Sequence, residues 1–485
     1  MSKGLFVKKS VRSLLEEAAE KRHTLKRSLS ALNLTAIGIG AIIGAGLFVL
    51  TGQAAAEYAG PGITISFILA GIISIFAALC YAELASLIPI SGSAYSYVYV
   101  TMGEFAAWMI GCVLTLEYLL SACTVAVGWS GYFKSLLADF GLAIPKYLSS
   151  SPFVYDLETG WALSGDMINL PAVVITAIMG YLIAVGIKAA ASFNNVMVVI
   201  KLAVVVLFIG CGIAYIKADN LTPFIPENTG NFGQYGFSGV LRGASVVFFA
   251  FIGFDALSTL AQEAKNPQKD LPRGMLGSLG ICTIIYIIVG VVLTGLVSYK
   301  FLNVADPIAV AVNVLGTKFL WLRLFVKVAI LAGLTSVVLV MLLGQTRILY
   351  TMAHDGLLPA RFRKISDKTH TPLFTTVIVC LVAMLIAGLF PVGILGQLVS
   401  MGTLMVFAIV CFCVLILRYK QPSLHRPFKV PFAPWIPLLG TIASFMQMLF
   451  LPAVTWLQLI VWLAVGCYVY FKYSIHHSKV RKGIK

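Results

Sequence analysis

The chain has 485 residues, of which 59% are hydrophobic and only 11% are charged, and its mean hydropathy is +0.95. Soluble domains carry roughly 25% charged residues, so this composition cannot supply the polar surface of a protein folded in water. The net charge of +16 by itself fits a nucleic-acid-binding protein, but the positions of the basic residues argue against that class.

Twelve apolar runs follow one another along the chain. As helices of about 20 residues they can cross the ~30 Å hydrocarbon core of a bilayer, where a helix satisfies its own backbone groups. The sequence therefore predicts an all-α polytopic membrane protein with an N-terminal segment (1–30), a transmembrane domain (31–473) and a C-terminal tail (474–485). The predicted spans are 31–50, 62–88, 106–134, 169–187, 194–216, 238–262, 275–299, 320–346, 372–390, 394–417, 434–452 and 455–473.

The basic residues are concentrated on one side of the predicted topology. Of the 35 Lys and Arg residues, 26 lie in the two terminal segments or in the loops on the same side as the termini. This asymmetry is typical of cytoplasmic loops. It predicts a multi-pass protein of the cell membrane with both termini in the cytoplasm, lipids as partners and no nucleic acid.

The sequence shows no motif of a catalytic or metal-binding site. All nine cysteines lie in apolar runs, no CxxC is present, and none of the six histidines falls within a predicted span. The chain also contains no HExxH, no GxxxxGK[ST] and no GxSxG. The sequence therefore predicts no metal site, cofactor or enzymatic activity.

Two predicted spans have unusual sequences. Span 1 (NLTAIGIGAIIGAGLF, 33–48) has four glycines within nine residues, and span 6 (VVFFAFIGFDA, 246–256) carries Asp255 near its middle. Each glycine costs a helix interior about 1 kcal/mol relative to alanine, which favours local unwinding. A close-packing face is the alternative, because Gly40 and Gly44 have GxxxG spacing.

Their place in the chain favours unwinding. Spans 1 and 6 are the first members of two five-span halves, about 31–216 and 238–417, which leaves 434–473 as two peripheral spans. Paired interrupted helices at corresponding positions point to a transporter binding site. Freed amides there can bind a carboxylate and freed carbonyls can bind an ammonium group. An amino acid carries both groups.

Three ionisable residues lie inside predicted spans, where an unpaired charge is costly. Lys201 in span 5 is expected either to snorkel to the interface or to serve as a buried cation, tethered between spans 1, 5 and 8, that exchanges a proton. Glu117 in span 3 is expected either as a structural carboxylate or as a proton carrier or pocket charge. Asp255 is expected to cap the break in span 6 in preference to contacting substrate.

Four charged residues lie towards the predicted cytoplasmic side, namely Glu83, Arg347, Asp355 and Lys364. They are candidates for ionic gates between helices. For any one of them, ordinary solvated charge is the favoured expectation.

Four stretches in order carry a family resemblance. They are GIGAIIGAGLF (38–48), YAEL (81–84) with Pro89 and GSAY (92–95), FFAFIGFD (248–255) with EAKNP (263–267), and GQTR (344–347) with MAHDGLLP (352–359). From about residue 25 to 472 the chain resembles bacterial members of the amino acid–polyamine–organocation superfamily, close to the cationic amino acid transporter subfamily. The resemblance implies a LeuT-type 5+5 inverted repeat with broken spans 1 and 6 and two extra C-terminal spans.

The resemblance also implies roles for individual residues. The substrate carboxylate would bind the amides around Ile43, Gly44, Ala45 and Gly46. The substrate amine would bind the carbonyls of Phe249, Ala250 and Ile252, with the Phe249 ring as an outer gate. Lys201 aligns with the family's span-5 lysine, which occupies the place of a sodium ion in sodium-coupled relatives, and so implies proton coupling.

Met341 in span 8 is the expected determinant of side-chain selectivity. Eukaryotic relatives that carry cationic substrates have a smaller polar residue there and two further C-terminal spans. A methionine narrows the pocket and offers no strong hydrogen-bond partner, which favours small neutral amino acids such as alanine. The resulting hypothesis is a proton-coupled amino acid importer, with an amino acid exchanger, a non-transporting sensor or a channel as alternatives.

Overall fold

The computed structural model describes residues 5–9, 29–89, 92–156, 160–185, 187–260, 264–316, 319–366, 369 and 371–483. Most of the N-terminal segment, together with Glu263 of the EAKNP motif, lies outside these residues. The described chain is mostly helical, as the composition predicted. The helices are α1 Ala31–Ile42, α2 Thr51–Ala54, α3 Ile63–Leu87, α4 Ser93–Thr101, α5 Glu104–Asp139, α6 Leu170–Val185, α7 Ile187–Gly212, α8 Gly236–Val247, α9 Pro267–Leu296, α10 Pro307–Val314, α11 Leu320–His354, α12 Leu373–Leu389, α13 Val392–Lys420, α14 Trp435–Leu449, α15 Ala453–Val469, α16 Ile475–His477 and α17 Lys479–Lys482.

Helix length and apolarity separate these elements into two groups. Within the described ranges, eight helical segments are long and apolar enough to cross a membrane, and four further apolar helices are shorter. One of the eight, Gly46–Leu87, joins π-helical turns at Gly46–Leu50 and Ala55–Ala59 to α3. The helices pack as a bundle in which α11 lies along α5, while α9 packs against both α1 and α3. These observations establish a polytopic membrane protein.

Several elements extend beyond or lie between the predicted spans. Helix α9 begins at Pro267 instead of near 275, because proline is favoured at the first helical position and the polar first turns still form a helix. Helix α11 continues to His354, past the predicted end near 346. The short helices α4 and α10 occupy connections where the sequence predicted no element. Hydropathy detects only the part of a helix that lies in lipid.

The connection between α5 and α6 contains a β-hairpin that was not expected from the sequence. Strands β1 Phe153–Asp156 and β2 Gly160–Leu163 pair antiparallel. The ring of Phe153 stacks on Phe390, which follows α12, with centroids 5.4 Å apart, and Trp161 packs edge-on to the same ring. The hairpin thus covers the end of α12. Four-residue strands are too short for a clear alternating pattern.

Two of the four charges expected to be solvated are buried, so that expectation is wrong for Glu83 and Asp355. Glu83 is 2% exposed and accepts hydrogen bonds from Arg418 Nη2 at 2.5 Å and from the Val430 amide at 2.7 Å. Arg426 Nε lies 3.3 Å from its other oxygen. Because a buried carboxylate needs such partners, Glu83 links the end of α3 to the connection after α13.

A second ion-pair cluster joins the end of α5 to the start of α11. Asp139 accepts a hydrogen bond from Arg323 Nη2 at 2.7 Å and one from Lys327 Nζ at 2.5 Å. Lys327 is 1% exposed and also donates to the carbonyl of Ser135 at 3.1 Å. The Lys327 ammonium is therefore neutralised and hydrogen-bonded within the bundle.

The C-terminal tail is attached to the bundle through Glu104. This carboxylate is fully buried and accepts hydrogen bonds from Tyr99 at 2.8 Å, Tyr470 at 3.0 Å and Arg481 Nε at 2.6 Å. Ser478 also donates to it. Four donors, one of which is the cation Arg481, make the burial of the charge tolerable.

The N-terminal residues 5–9 reach the same end of the bundle. The Glu104 amide donates to the carbonyl of Val7 at 2.8 Å. Lys9 Nζ pairs with Asp355 Oδ1 at 2.5 Å, and Tyr95 donates to Asp355 Oδ2 at 2.8 Å. The backbone of Asp355 also accepts from the amide of Lys479 at 3.1 Å. Both terminal segments are thus joined to the ends of α4, α5 and α11.

Removal of the Arg481 guanidinium is expected to destabilise this end of the bundle. Arg481→Ala leaves the fully buried Glu104 carboxylate without its cation, at a cost of about 3 kcal/mol. The melting temperature in detergent should fall clearly below that of the wild type. Lys482→Ala, at the neighbouring exposed position, is the matched control and should melt like the wild type. Equal melting of the two variants would contradict the prediction.

Candidate functional site

The glycine-rich span is interrupted at the predicted position. Helix α1 ends at Ile42, and Ile43 adopts an extended conformation (φ −71°, ψ 107°) while its amide still bonds to the carbonyl of Ile39 at 2.9 Å. The amides of Leu47 and Phe48 both donate to the carbonyl of Gly44, at 3.2 and 3.1 Å. A new helical segment therefore begins here. The first amides of this segment, around Gly44 to Gly46, have no carbonyl one turn earlier in the segment to which they could donate.

The span containing Asp255 is interrupted as well. Helix α8 ends at Val247, a 3₁₀ turn covers Phe248–Phe251, and Ile252 is extended (φ −62°, ψ 142°). Gly253 has φ +114°, a conformation that side chains other than glycine rarely adopt. A Cβ at Gly253 would also lie 2.7 Å from the carbonyl oxygen of Ala41. Glycine is thus required both by the turn and by the close approach of α1.

The two interruptions lie directly against each other. A Cβ added to Gly46 would come within 2.2 Å of Ala250 Cα, so these backbones meet in van der Waals contact. Tyr286 of α9 connects them: its hydroxyl lies 2.9 Å from the carbonyl oxygen of Ile42 and 2.8 Å from that of Ala250. No role for Tyr286 was predicted from the sequence. The available signal was a phenol hydroxyl in the middle of an apolar run (IIYIIV, 284–289).

Lys201 of α7 is bonded to the interruption of span 1. Its Nζ donates to the carbonyl of Gly40 at 2.6 Å and to that of Ile43 at 3.2 Å, and the side chain is 1% exposed. Gly333 of α11 packs against its stem, since a Cβ there would lie 2.6 Å from Lys201 Cγ. The geometry excludes a snorkelling lysine. Lys201 lies between α1 and α11 with two helix-terminal carbonyls as acceptors.

Met341 is buried on the face of α11 that looks towards the interruptions. Val337, one turn earlier on the same helix face, would lie 3.3 Å from a Cβ at Gly44. Gly344, three residues after Met341, faces the Tyr118 ring. A Cβ added to Gly344 would lie 2.6 Å from that ring. Met341 is 4% exposed. It therefore lies on α11 between the residue that faces the glycine break and the residue that faces Tyr118.

Asp255 has the contacts of a cap. One carboxylate oxygen accepts from the amide of Gly253 at 3.2 Å, and the other lies 3.3 Å from the hydroxyl of Tyr118. These bonds hold the turn after the break and attach it to α5. Glu117, the neighbour of Tyr118, is 2% exposed, and its Oε2 has no hydrogen-bond partner within the described residues. Such a group is a candidate for protonation or for contact with buried water.

Phe249 lies in the 3₁₀ turn and is 6% exposed. Its amide donates to Ser400 Oγ of α13 at 3.2 Å, and Ser400 in turn donates to the carbonyl of Val246 at 3.0 Å. The turn is thereby fixed to α13. The structure brings together the breaks, Lys201, Phe249 and Met341, and it places Asp255 and Glu117 on the adjoining α5 side.

A separate apolar crevice, too narrow to hold a water molecule, lies beyond the interruptions. It contains no polar side chain and so cannot bind a carboxylate and an ammonium group. The crevice is lined by Leu47, Phe48, Val204, Val205, Phe208, Val289, Ile308, Val326 and Ile330.

The family model described as amino acid permease matches residues 29–471. This match includes both interruptions, Lys201 and Met341. The chain belongs to the amino acid permease family. Membership confirms the resemblance to the amino acid–polyamine–organocation superfamily, and it identifies the protein as a transporter and not an enzyme.

Relatives of this permease have several stated substrates. The methylthioribose transporter of Bacillus subtilis (strain 168) is 44% identical over 99% of both chains. The branched-chain amino acid permease BcaP of the same organism is 42% identical over 99% of this chain and 100% of its own length. The vacuolar cationic amino acid transporter 4 of Arabidopsis thaliana is 37% identical over 83% of this chain and 65% of the plant protein.

Proposed function

We propose that this permease imports neutral amino acids across the plasma membrane by alternating access, driven by protons. The observation that carries the proposal is the contact between two interrupted helices, one of which is bonded to Lys201 through the carbonyls of Gly40 and Ile43. Irregular backbone at membrane depth is tolerated where it lines a cavity or is buried in protein. Family membership supports the substrate class.

The proposed substrate pose uses the freed backbone groups. The carboxylate binds the amides around Ile43, Gly44, Ala45 and Gly46 at the start of the second helical segment, where the helix dipole favours negative charge. The ammonium group binds the carbonyls of the opposing turn. These carbonyls are those of Phe249, Ala250 and Ile252.

Lys201 is the proposed coupling group, with Glu117 as a second candidate. A charged Lys201 makes short, charge-assisted bonds that fix the end of α1. Loss of its proton weakens those bonds and frees α1 to move. Proton release towards the cytoplasm would thus be tied to opening of the first half of span 1.

The proposed architecture has twelve spans in two inverted five-span repeats with two peripheral spans. In it, α1 with residues 46–59 forms span 1, and α8 with residues 248–260 forms span 6. Gly60–Gly62 separates span 1 from α3, and Gly60 has the positive φ of a turn. The excess of Lys and Arg near the termini supports their cytoplasmic location. Cysteine labelling from each side of the membrane tests this orientation.

Uptake by purified permease in proteoliposomes tests the function. An inward proton gradient should accelerate uptake of labelled leucine or alanine, and an ionophore that collapses the gradient should remove the effect. Equal uptake with and without the gradient would contradict proton coupling. Uptake that requires amino acid inside the vesicles would instead identify an exchanger.

A methylthioribose transporter is the second candidate function, because the relative with that name is 44% identical over 99% of the chain. Methylthioribose has neither a carboxylate nor an ammonium group. The same vesicles, supplied with labelled methylthioribose in competition with leucine, separate the two. Uptake of methylthioribose without uptake of any amino acid would favour the second candidate.

Replacement of Met341 is expected to change side-chain selectivity. Met341→Ala enlarges the pocket beside the glycine break, so affinity for small neutral amino acids should fall about tenfold while longer side chains gain access. Substrate-dependent shifts of the melting temperature across the twenty amino acids measure this. Met352→Ala, buried on the same helix against Gly111, is the control and should leave the ranking unchanged. An identical ranking in Met341→Ala would contradict the assignment.

A further inference from the structure

Three carbonyls at the end of α1 have side-chain donors from other helices. Lys201 donates to the carbonyls of Gly40 and Ile43, and the hydroxyl of Tyr286 lies 2.9 Å from the carbonyl of Ile42. The last carbonyls of a helix have no intrahelical partners, so such side chains decide where the helix ends. Lys201 and Tyr286 are therefore joint caps of α1, and Tyr286 alone also reaches the other interruption.

The Tyr286 hydroxyl has two acceptors and one proton. Its oxygen lies 2.9 Å from Ile42 O and 2.8 Å from Ala250 O, and a phenol can donate one hydrogen bond fully at a time. At any moment, therefore, one of the two carbonyls does not receive a full hydrogen bond from this hydroxyl. Ala250 O belongs to the turn that is proposed to bind the substrate ammonium group.

The ring of Tyr286 is held in place by packing. It is fully buried between Phe67, at 5.3 Å, and Phe251, at 5.4 Å between ring centroids. The hydroxyl can therefore turn its proton from one carbonyl to the other without movement of the ring. This freedom differs from that of Lys201, whose ammonium has protons enough for both of its acceptors.

We propose that Tyr286 is a positioning residue that couples substrate binding to the hinge of span 1. In the empty site its proton is shared between the two interruptions and holds them together. When an ammonium group donates to Ala250 O, the Tyr286 proton turns fully to Ile42 O and tightens the end of α1. No covalent bond changes. The substrate part of this inference rests on the proposed function, whereas the holding of the two breaks does not.

Tyr286→Phe tests the inference, because it removes the hydroxyl and keeps the packed ring. Tyr81→Phe is the matched control: Tyr81 is also fully buried and packs on Phe254 beside the same turn, and its hydroxyl has no hydrogen-bond partner in the described part of the chain. The first measurement is amide hydrogen exchange of residues 41–47 and 250–254 in purified permease without amino acid. The second is the leucine concentration dependence of vesicle uptake.

Without amino acid, Tyr286→Phe should exchange about tenfold faster at both breaks, the factor expected for loss of one buried hydrogen bond, while Tyr81→Phe matches the wild type. In uptake, Tyr286→Phe should raise the half-saturating leucine concentration by a similar factor with the proton dependence retained. Unchanged exchange and unchanged half-saturation would overturn the inference. Faster exchange would support the positioning role even if wild-type vesicles took up no amino acid, so failure of the proposed function remains distinguishable.

Discussion

Lys201→Met is expected to abolish proton-driven uptake of amino acid by this permease while the protein stays folded. The substitution keeps an unbranched side chain that can pack under Gly333 but removes the ammonium group from the carbonyls of Gly40 and Ile43. Charge-assisted bonds contribute about 1.5–3 kcal/mol each, so the end of α1 loses its main fixed point. Uptake under an inward proton gradient should fall on the order of a hundredfold.

The measurement compares initial uptake rates in vesicles with and without the gradient, at equal amounts of protein with matched melting temperatures. Lys134→Met is the control, because Lys134 is partly buried and donates to one carbonyl, that of Ser149, away from the breaks. It should retain gradient-driven uptake. A Lys201→Met permease that still accelerates uptake when the gradient is applied would exclude Lys201 from coupling.

The depth of Lys201 in the membrane could be predicted from the sequence, but the groups to which it is bonded could not. Its position in the apolar run gave its depth, because each helical residue advances 1.5 Å. The acceptors Gly40 O and Ile43 O could not be derived, since neither the rotation of α7 nor its neighbour is encoded in one span's periodicity. The hypothesis of a cation tethered between spans 1, 5 and 8 named the neighbouring spans but not these two acceptors.

The interruptions show the same division. Clustered glycines and a mid-span aspartate predicted where α1 and the span of Asp255 lose regular structure. The direct contact of Gly46 with Ala250 depends on how the two spans pack, which hydropathy does not report. Tyr286 was missed for a related reason: a tyrosine in an apolar run looks like ordinary packing until its hydroxyl is seen between two carbonyls.

Charges near the bundle ends were the least predictable. Glu83 and Asp355 were expected to be solvated, but their partners Arg418 and Lys9 lie 335 and 346 residues away in the chain. Pairing over such separations depends on the assembled bundle. Local composition therefore predicts the side of the membrane on which a charge lies, but not whether the charge is buried.

Gly46→Ala is expected to eliminate amino acid binding and uptake, because the added Cβ would lie 2.2 Å from Ala250 Cα. A backbone atom cannot give way as the end of a side chain can, so the two interruptions must separate. Overpacking of this kind costs about 1–3 kcal/mol, and it falls on the groups proposed to bind substrate. The melting temperature should fall, and leucine should no longer raise it.

Alanine substitutions at two other glycines are the controls for Gly46→Ala. The Cβ added by Gly44→Ala would lie 3.3 Å from Val337 Cγ2, a side-chain contact that can adjust. Amino acid binding should therefore be weakened but not lost. Gly210→Ala on α7 meets nothing within 4 Å and should melt at or above the wild-type temperature, because alanine favours a helix by about 1 kcal/mol. The severity should therefore decrease from Gly46 to Gly44 to Gly210. Equal losses at Gly46 and Gly44 would mean that helix propensity, and not the contact between the breaks, determines binding.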